Sequence, residues 1–186
     1  MSLVGPTKQH TIWVNGVPEA QEVKNRVHLD VRFDDPNDVP GARVVREAGE
    51  DPWRVLADPD GLVFCAFGPR EGAPTGAFEM CVDSADVDAI ARWWGERFEI
   101  PVQGGDKPWR WLENVPGLPF PYWVFNPVPE PKTVKNRVHW DVTLADATLD
   151  DLVAAGATIL RAKDDEIGWT VLADPEGNEF CAFAPE

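Results

Sequence analysis

The chain has 186 residues, and its hydrophobic content of 44% is enough for the buried core of one large or two small domains. Its net charge of −15 would repel the phosphates of a nucleic acid and an anionic membrane surface. Residues 1–10 lack both the basic start and the apolar stretch of a secretory signal, and no apolar segment is as long as a membrane span. We therefore predict a cytoplasmic protein with neither a nucleic-acid nor a membrane partner.

One short string occurs almost identically twice. VKNRVHLDV begins at Val23, and VKNRVHWDV begins at Val134. The similarity extends on both sides of the string, from residues 12–19 with 123–130 to residues 54–67 with 170–183. Because residues without evident chemistry also repeat, the duplication indicates common ancestry of two segments of the chain.

The segment between the two copies repeats the same pattern in shorter form. Residues 78–98 read as a strand, an Asp-rich helix start and an amphipathic helix, and residues 138–159 open in the same way. This predicts modules of one strand, one helix and three further strands, a βαβββ arrangement. The modules span residues 24–70, 76–131 and 135–186, and the proline-rich FDDPNDVPGARVV makes a full helix doubtful in the first.

These modules predict an α+β fold with two domains. We expect residues 76–186 to form a complete two-module domain, in which 76–131 pairs with 135–186. Residues 23–72 then form a single module without a partner in the chain, and residues 1–22 keep one strand of a preceding module. Either the missing half was lost from the N-terminus or a partner chain supplies it. The second alternative predicts a homodimer, because an unpaired strand edge attracts another chain.

The strings HWDVTLAD and DPEGNEFCAF, at the start and end of the last module, carry a family resemblance. The chain resembles the vicinal-oxygen-chelate superfamily, which includes glyoxalases, bleomycin-resistance proteins and dioxygenases, and in particular the glyoxalase-like proteins of actinobacteria. The resemblance covers residues 76–186 fully and residues 10–70 in part. It implies paired modules whose curved sheets enclose a small-molecule pocket, often with a divalent metal ion.

The resemblance also implies site residues. In metal-using members, a His lies on the first strand shortly before the Asp that opens the helix, and a Glu lies just after the Asn of the DPxGN turn. The His position is His139, and the matching position of the middle module is Glu79. These two are the expected catalytic residues. The Glu position is occupied by Cys181, so the expected metal set of Glu79, His139 and Cys181 departs from the family pattern.

Strand alternation gives an independent prediction for the same region. Arg137, His139 and Asp141 lie on one face of the predicted strand, and Val138, Trp140 and Val142 lie on the other. We expect the polar face to line the ligand pocket. The other expected pocket residues are Glu79, Cys81, Glu179, Cys181, Trp109 and Trp111.

Several interpretations of this polar face stay open. It can be a structural network of buried polar groups, a ligand or catalytic site without metal, or a metal site. Cys65, Cys81 and Cys181, an odd number among apolar neighbours, favour reduced thiols over a disulfide framework. The predicted function is a small-molecule lyase, isomerase or dioxygenase. The alternative is a metal-free protein that binds an aromatic or apolar small molecule.

Overall fold

Two mixed β-sheets and a short N-terminal hairpin make up the structure, a computed structural model that describes residues 1–185. The elements of the first and middle modules, with the hairpin before them, are β1 (Ser2–Leu3), β2 (Ile12–Trp13), β3 (Val27–Arg32), β4 (Arg43–Arg46), β5 (Arg54–Ala57), β6 (Val63–Phe67), β7 (Gly76–Ser84), α1 (Val87–Phe98), β8 (Arg110–Glu113) and β9 (Tyr122–Pro127). Those of the last module are β10 (Trp140–Thr143), α2 (Leu149–Ala154), β11 (Thr158–Arg161), β12 (Thr170–Ala173) and β13 (Glu179–Phe183).

The first and middle modules share one seven-stranded sheet, in the order β4-β5-β6-β3-β7-β9-β8. The junction between them is the antiparallel pair of β3 and β7, the first strand of each module. The last module forms a separate four-stranded sheet in the order β10-β13-β12-β11, so β10 is an edge strand. The α+β fold of paired modules that the sequence predicts is therefore present.

The pairing of the modules differs from our expectation. We expected the middle module to pair with the last module and the first module to lack a partner in the chain. Instead, β7 hydrogen-bonds to β3, and none of the described residues extends the sheet beyond β10. The reason is that β3 and β10 carry nearly the same string, so that either offers β7 an equivalent edge. The domain boundaries themselves stay a prediction.

Alternation along β3 and β7 separates an apolar face from a polar one. Val27 and Leu29 of β3 pair with Val82 and Met80 of β7, and all four contribute to the hydrophobic core on the side of α1. The residues between them point to the opposite face, because successive side chains of a strand alternate. The candidate site lies on that opposite face.

Helix α1 lies between the two sheets and joins them. It begins at Asp86, whose side chain accepts a hydrogen bond from Ala89 N, as the Asp-rich start predicts. Trp94 is 1% exposed, and its ring lies 4.8 Å from Trp123 of the seven-stranded sheet and 5.1 Å from Phe180 of the four-stranded sheet. The last module thus packs against α1 and also, through Trp140, against Trp123 of the seven-stranded sheet.

The repeat is also visible in the contacts between segments. Arg26 Nη1 donates a hydrogen bond of 2.8 Å to Glu130 O, and Arg137 Nη1 donates one of 2.7 Å to Glu19 O. Arg137 is the repeat equivalent of Arg26, and Glu130 is the repeat equivalent of Glu19. The arginine of each copy of the string therefore donates a hydrogen bond to the segment just before the other copy.

The helical content follows the sequence. No helix forms between β3 and β4 in the described part of the first module, where the segment is rich in proline. In the last module, α2 begins with a capping box between Thr148 and Asp151. None of the helices within residues 1–185 is long and apolar enough to cross a membrane.

Candidate functional site

Five potential metal-ligating side chains meet on the polar face of the seven-stranded sheet, where the first and middle modules join. His28 and Asp30 alternate along β3, and the pairing with β7 places Cys81 opposite His28 and Glu79 opposite Asp30. On the other side of β3, the parallel pairing with β6 places Cys65 opposite Asp30. We call these five residues the central cluster.

The donor atoms of the central cluster are close together. His28 Nε2 lies 3.4 Å from Asp30 Oδ1 and 3.6 Å from Cys65 Sγ, and Cys81 Sγ lies 3.5 Å from Glu79 Oε1. The ligand atoms of His28, Asp30 and Cys65 all lie within 4.8 Å of one another, and so do those of Asp30, Glu79 and Cys81. Asp30 belongs to both sets.

One oxygen of the central cluster has no hydrogen-bond partner. Asp30 is 5% exposed, and its Oδ1 is buried without a hydrogen-bond donor among the described residues, since His28 Nε2 lies near it but outside hydrogen-bonding geometry. Leaving a buried polar atom unsatisfied is costly, and more so for a charged group. A cation among imidazole, thiol and carboxylate groups would remove this cost, so the donor set fits a metal ion of the zinc or iron type.

Burial shapes the protonation of the cluster. Burial, followed by the negative charge of Asp30, raises the pKa of Glu79 to about 7. The same two causes raise the pKa of Cys65 and that of Cys81 well above the usual range of a thiol. Without a bound cation, the two thiols are therefore protonated at neutral pH. A metal ion would reverse this, because it stabilises the thiolate.

The last module carries a second group, which we call the outer cluster. The ligand atoms of His139, Asp141 and Cys181 lie within 4.8 Å of one another. They occupy the repeat positions of His28, Asp30 and Cys65, but His139 and Asp141 are exposed. Because β10 is a sheet edge, no strand among the described residues supplies the counterparts of Glu79 and Cys81.

The pKa values of the outer cluster also respond to burial. Burial raises the pKa of Asp141, and the charge of His139 opposes this rise. Burial, followed by the charge of Asp141, raises the pKa of Cys181 to about 12.

The structure separates the two expected catalytic residues. Glu79 belongs to the central cluster and His139 to the outer one, and no candidate ligand group within residues 1–185 contains both. The His that lies on the strand paired with Glu79 is His28. The sequence held the signal that identifies His28, since the same string surrounds both histidines.

Two other expected pocket residues make structural contacts. Glu179 accepts a hydrogen bond of 2.8 Å from Lys132 Nζ and one of 3.1 Å from Asn136 N, and its carboxylate is therefore occupied within the last module. Arg137 is exposed and donates to Glu19 O, so it links two segments of the chain.

The two expected pocket tryptophans differ. Trp111 pairs with Val124, which pairs with Cys81, so that Trp111 lies on the same face of the sheet as the central cluster. Its Nε1 donates a hydrogen bond of 2.8 Å to Glu113. Trp109 precedes β8 and is 37% exposed, with Lys107 Nζ 5.5 Å from its ring centre.

A cavity of about 740 Å³ lies near the central cluster, although none of the five cluster residues lines it. Its lining includes Tyr122, which pairs directly with Glu79 across β9 and β7. Further lining residues are Arg32, Phe78 and Phe120. Volumes of roughly 300–1,000 Å³ are typical of small-molecule sites.

Comparison with known proteins identifies the family of this chain. A family model described as a glyoxalase-like domain matches residues 2–67 and 79–183. The chain belongs to the glyoxalase-like family. It is thus a member of the glyoxalase/bleomycin-resistance/dioxygenase superfamily, whose members include lyases, isomerases and dioxygenases. The family match spans both halves of the repeat, as the internal duplication predicts.

Crystal structures support the fold of this glyoxalase-like protein. A point mutant of glyoxalase I from Zea mays is 14% identical, with a TM-score of 0.59, over 86% of this chain and 70% of the maize chain. The crystal structure of glyoxalase I from Zea mays is 14% identical, with a TM-score of 0.58, over 83% of this chain and 66% of the maize chain. At this identity the likeness concerns the fold alone. A comparison with curated protein sequences finds no match.

Proposed function

We propose that this glyoxalase-like protein is a metal-dependent lyase or isomerase of small molecules, with His28, Asp30 and Cys65 as metal ligands and Glu79 as the general acid–base. The observation that carries the proposal is the convergence of these side chains around the unpartnered Oδ1 of Asp30. Membership of the superfamily supports the reaction class.

The donor set of the central cluster favours zinc or iron. Imidazole and thiolate suit these ions, whereas magnesium and calcium prefer oxygen ligands alone. When bound, such an ion would supply a Lewis acid that polarises a carbonyl oxygen. The three ligands would hold the ion on the polar face of the sheet, away from the core formed with α1.

Glu79 is placed to move a proton next to such a substrate. It lies between Asp30 on β3 and Tyr122 on β9, and Tyr122 lines the cavity. Cys81 donates a hydrogen bond of 3.5 Å to its Oε1. A carboxyl group in this position can take a proton from a carbon atom beside a carbonyl group and return it elsewhere.

The test is solvent-proton exchange. Small aldehydes, α-hydroxy ketones and their thiol adducts are incubated with zinc-loaded protein in deuterated water, and exchange at carbon is followed by NMR. We expect zinc-dependent exchange that E79Q reduces by a factor of at least about 100, in the range of general acid–base catalysis. Glu113, an exposed residue of β8, provides the control variant E113Q. Unchanged exchange in E79Q would refute the assigned role of Glu79.

The second candidate function is metal-free binding of an aromatic or apolar molecule. The aromatic lining of the cavity by Phe78, Phe120 and Tyr122, with Trp111 on the same sheet face as the central cluster, favours it. Ligand affinity that is unaffected by a chelator, in protein that binds no zinc, would support this function over the first.

A homodimer and a cytoplasmic location stay predictions from the sequence. Since β3 is covered by β7, its repeat equivalent β10 is the edge strand that we expect to pair with a second copy, beside the exposed His139 and Asp141. A sedimentation experiment that shows only monomer at micromolar concentration would contradict the dimer.

A further inference from the structure

The cavity beside the central cluster has an unusual charge for this protein. The chain carries a net charge of −15, yet the cavity lining includes two arginines, Arg32 and Arg70, against one carboxylate, Glu71. His10, from the N-terminal segment, also lines the cavity. A locally positive cavity in an acidic protein attracts anions and repels cations.

Arg32 is the buried member of this set. It is 7% exposed and follows Asp30 on the same face of β3. Its guanidinium stacks 4.1 Å above the ring of Phe78, which fixes the plane of the group.

The hydrogen bonds of Arg32 are incomplete. Its Nη1 donates only a long bond of 3.4 Å to Pro74 O, and its buried Nε has no acceptor among the described residues. A buried guanidinium without a carboxylate partner is costly, and a planar anion is the partner that its geometry fits.

The rest of the cavity is suited to an apolar group. The side chains of Phe78, Phe120 and Ile12 line it, with Tyr122 as a ring that also carries a hydroxyl group. The His10 ring makes an edge-to-face contact with Phe120, at 6.4 Å between ring centres, so the N-terminal segment closes one side of the cavity.

We propose that this cavity binds a small apolar or aromatic molecule through a carboxylate or phosphate group, with Arg32 as the anion-binding residue and Arg70 as a second cation. The inference rests on the proposed function, because it names the substrate class for the site at Glu79. Arg32 follows Asp30 as the next residue on the same face of β3, and Asp30 pairs with Glu79 of β7. A substrate held by Arg32 would therefore extend towards Glu79.

The test is calorimetric titration with three probes that share one ring: benzoate, phenyl phosphate and the neutral benzamide. Each is titrated into the protein as purified and into protein dialysed against a chelator. The variants are R32Q, R32K and the control R92Q, which removes an exposed arginine from α1 on the other side of the sheet. Urea unfolding shows whether each variant is folded. If R32Q is not folded, R32K takes its place in the test.

We expect benzoate or phenyl phosphate to bind at least tenfold more tightly than benzamide, in both forms of the protein. R32Q should weaken binding of the anions at least tenfold and leave benzamide unchanged, as expected for the loss of charge-assisted hydrogen bonds. R32K should lie between, since it keeps the charge without the planar donors. R92Q should bind like the unaltered protein. The anion that binds more tightly shows whether the cavity prefers a carboxylate or a phosphate group.

The inference is overturned if the anions bind no better than benzamide, or if a folded R32Q or R32K keeps full affinity for them. Anion binding that disappears with the chelator and persists in R32Q would mean that a metal ion holds the anion; this would support the proposed function and refute the inference. Arg32-dependent binding in protein that takes up no zinc would support the inference and refute the metal-dependent function.

Discussion

Replacing Glu79 by glutamine in metal-free protein should stabilise the fold at neutral and alkaline pH and leave it unchanged in acid. Burial, followed by the charge of Asp30, raises the pKa of Glu79 from its ordinary 4.5 to about 7. The folded chain therefore binds this proton more tightly than the unfolded chain. The stability contributed by the protonated carboxyl group is fully present below about pH 4.5 and is lost as the pH rises to about 7.

The magnitude follows from the size of the shift. Each pKa unit corresponds to about 1.4 kcal/mol, so a rise from 4.5 to about 7 corresponds to roughly 3 kcal/mol of lost stability. Solvent reaches the half-buried side chain and screens part of this, which gives about 2 kcal/mol as the expected effect. Glutamine has the same shape and no charge, so E79Q should remove this loss.

The assay is urea unfolding across this pH range in the presence of a chelator, with E113Q as the matched loss of a carboxylate on the same sheet. The free energy of unfolding of the unaltered protein should fall relative to that of E79Q between about pH 4.5 and pH 7. Parallel curves for the unaltered protein and E79Q would refute the burial argument for Glu79.

Two further substitutions test the packing around α1. W94A should lower the free energy of unfolding, measured in urea, by about 3–5 kcal/mol, because Trp94 is 1% exposed and contacts both sheets. A loss of less than about 1 kcal/mol would contradict the central position of Trp94. G95A should lower the free energy of unfolding by about 1–3 kcal/mol although alanine favours helices, because an added Cβ would lie 2.7 Å from Ile100 O. In the control G16A the added Cβ meets no atom within 4 Å, so equal effects of the two substitutions would contradict the proposed clash.

Local structure and family were accessible from the sequence because they depend on short patterns. The string around His139 predicts a strand, and β10 begins one residue after this histidine, at Trp140. The Asp-rich segment predicts the start of the first helix, which Asp86 caps. The internal repeat indicated the modules and, with the DPEG turn, the superfamily. Each of these signals is contained in a few neighbouring residues.

The pairing of the modules was not accessible in the same way. It is a choice between two nearly identical edges, β3 and β10, and strand pairing depends on the whole fold. We expected Glu79 to meet His139, whereas the strand beside it carries His28 and Asp30. Cys65 was identified as a thiol, but its place beside Asp30 depends on the parallel pairing of β3 with β6. The unpartnered Nε of Arg32 and the cavity around it also arise only from tertiary contacts.

The most direct test of the metal site in the central cluster is a cobalt titration followed by absorbance. Thiolate bound to cobalt gives a charge-transfer band in the near ultraviolet, and Cys65 and Cys181 occupy equivalent positions in the central and outer clusters. We expect one tightly bound equivalent of cobalt. Its band should be lost in C65S and kept in C181S, and D30N should weaken the binding of cobalt at least tenfold. A band that survives in C65S and disappears in C181S, or no band in the unaltered protein, would contradict a metal site at His28, Asp30 and Cys65.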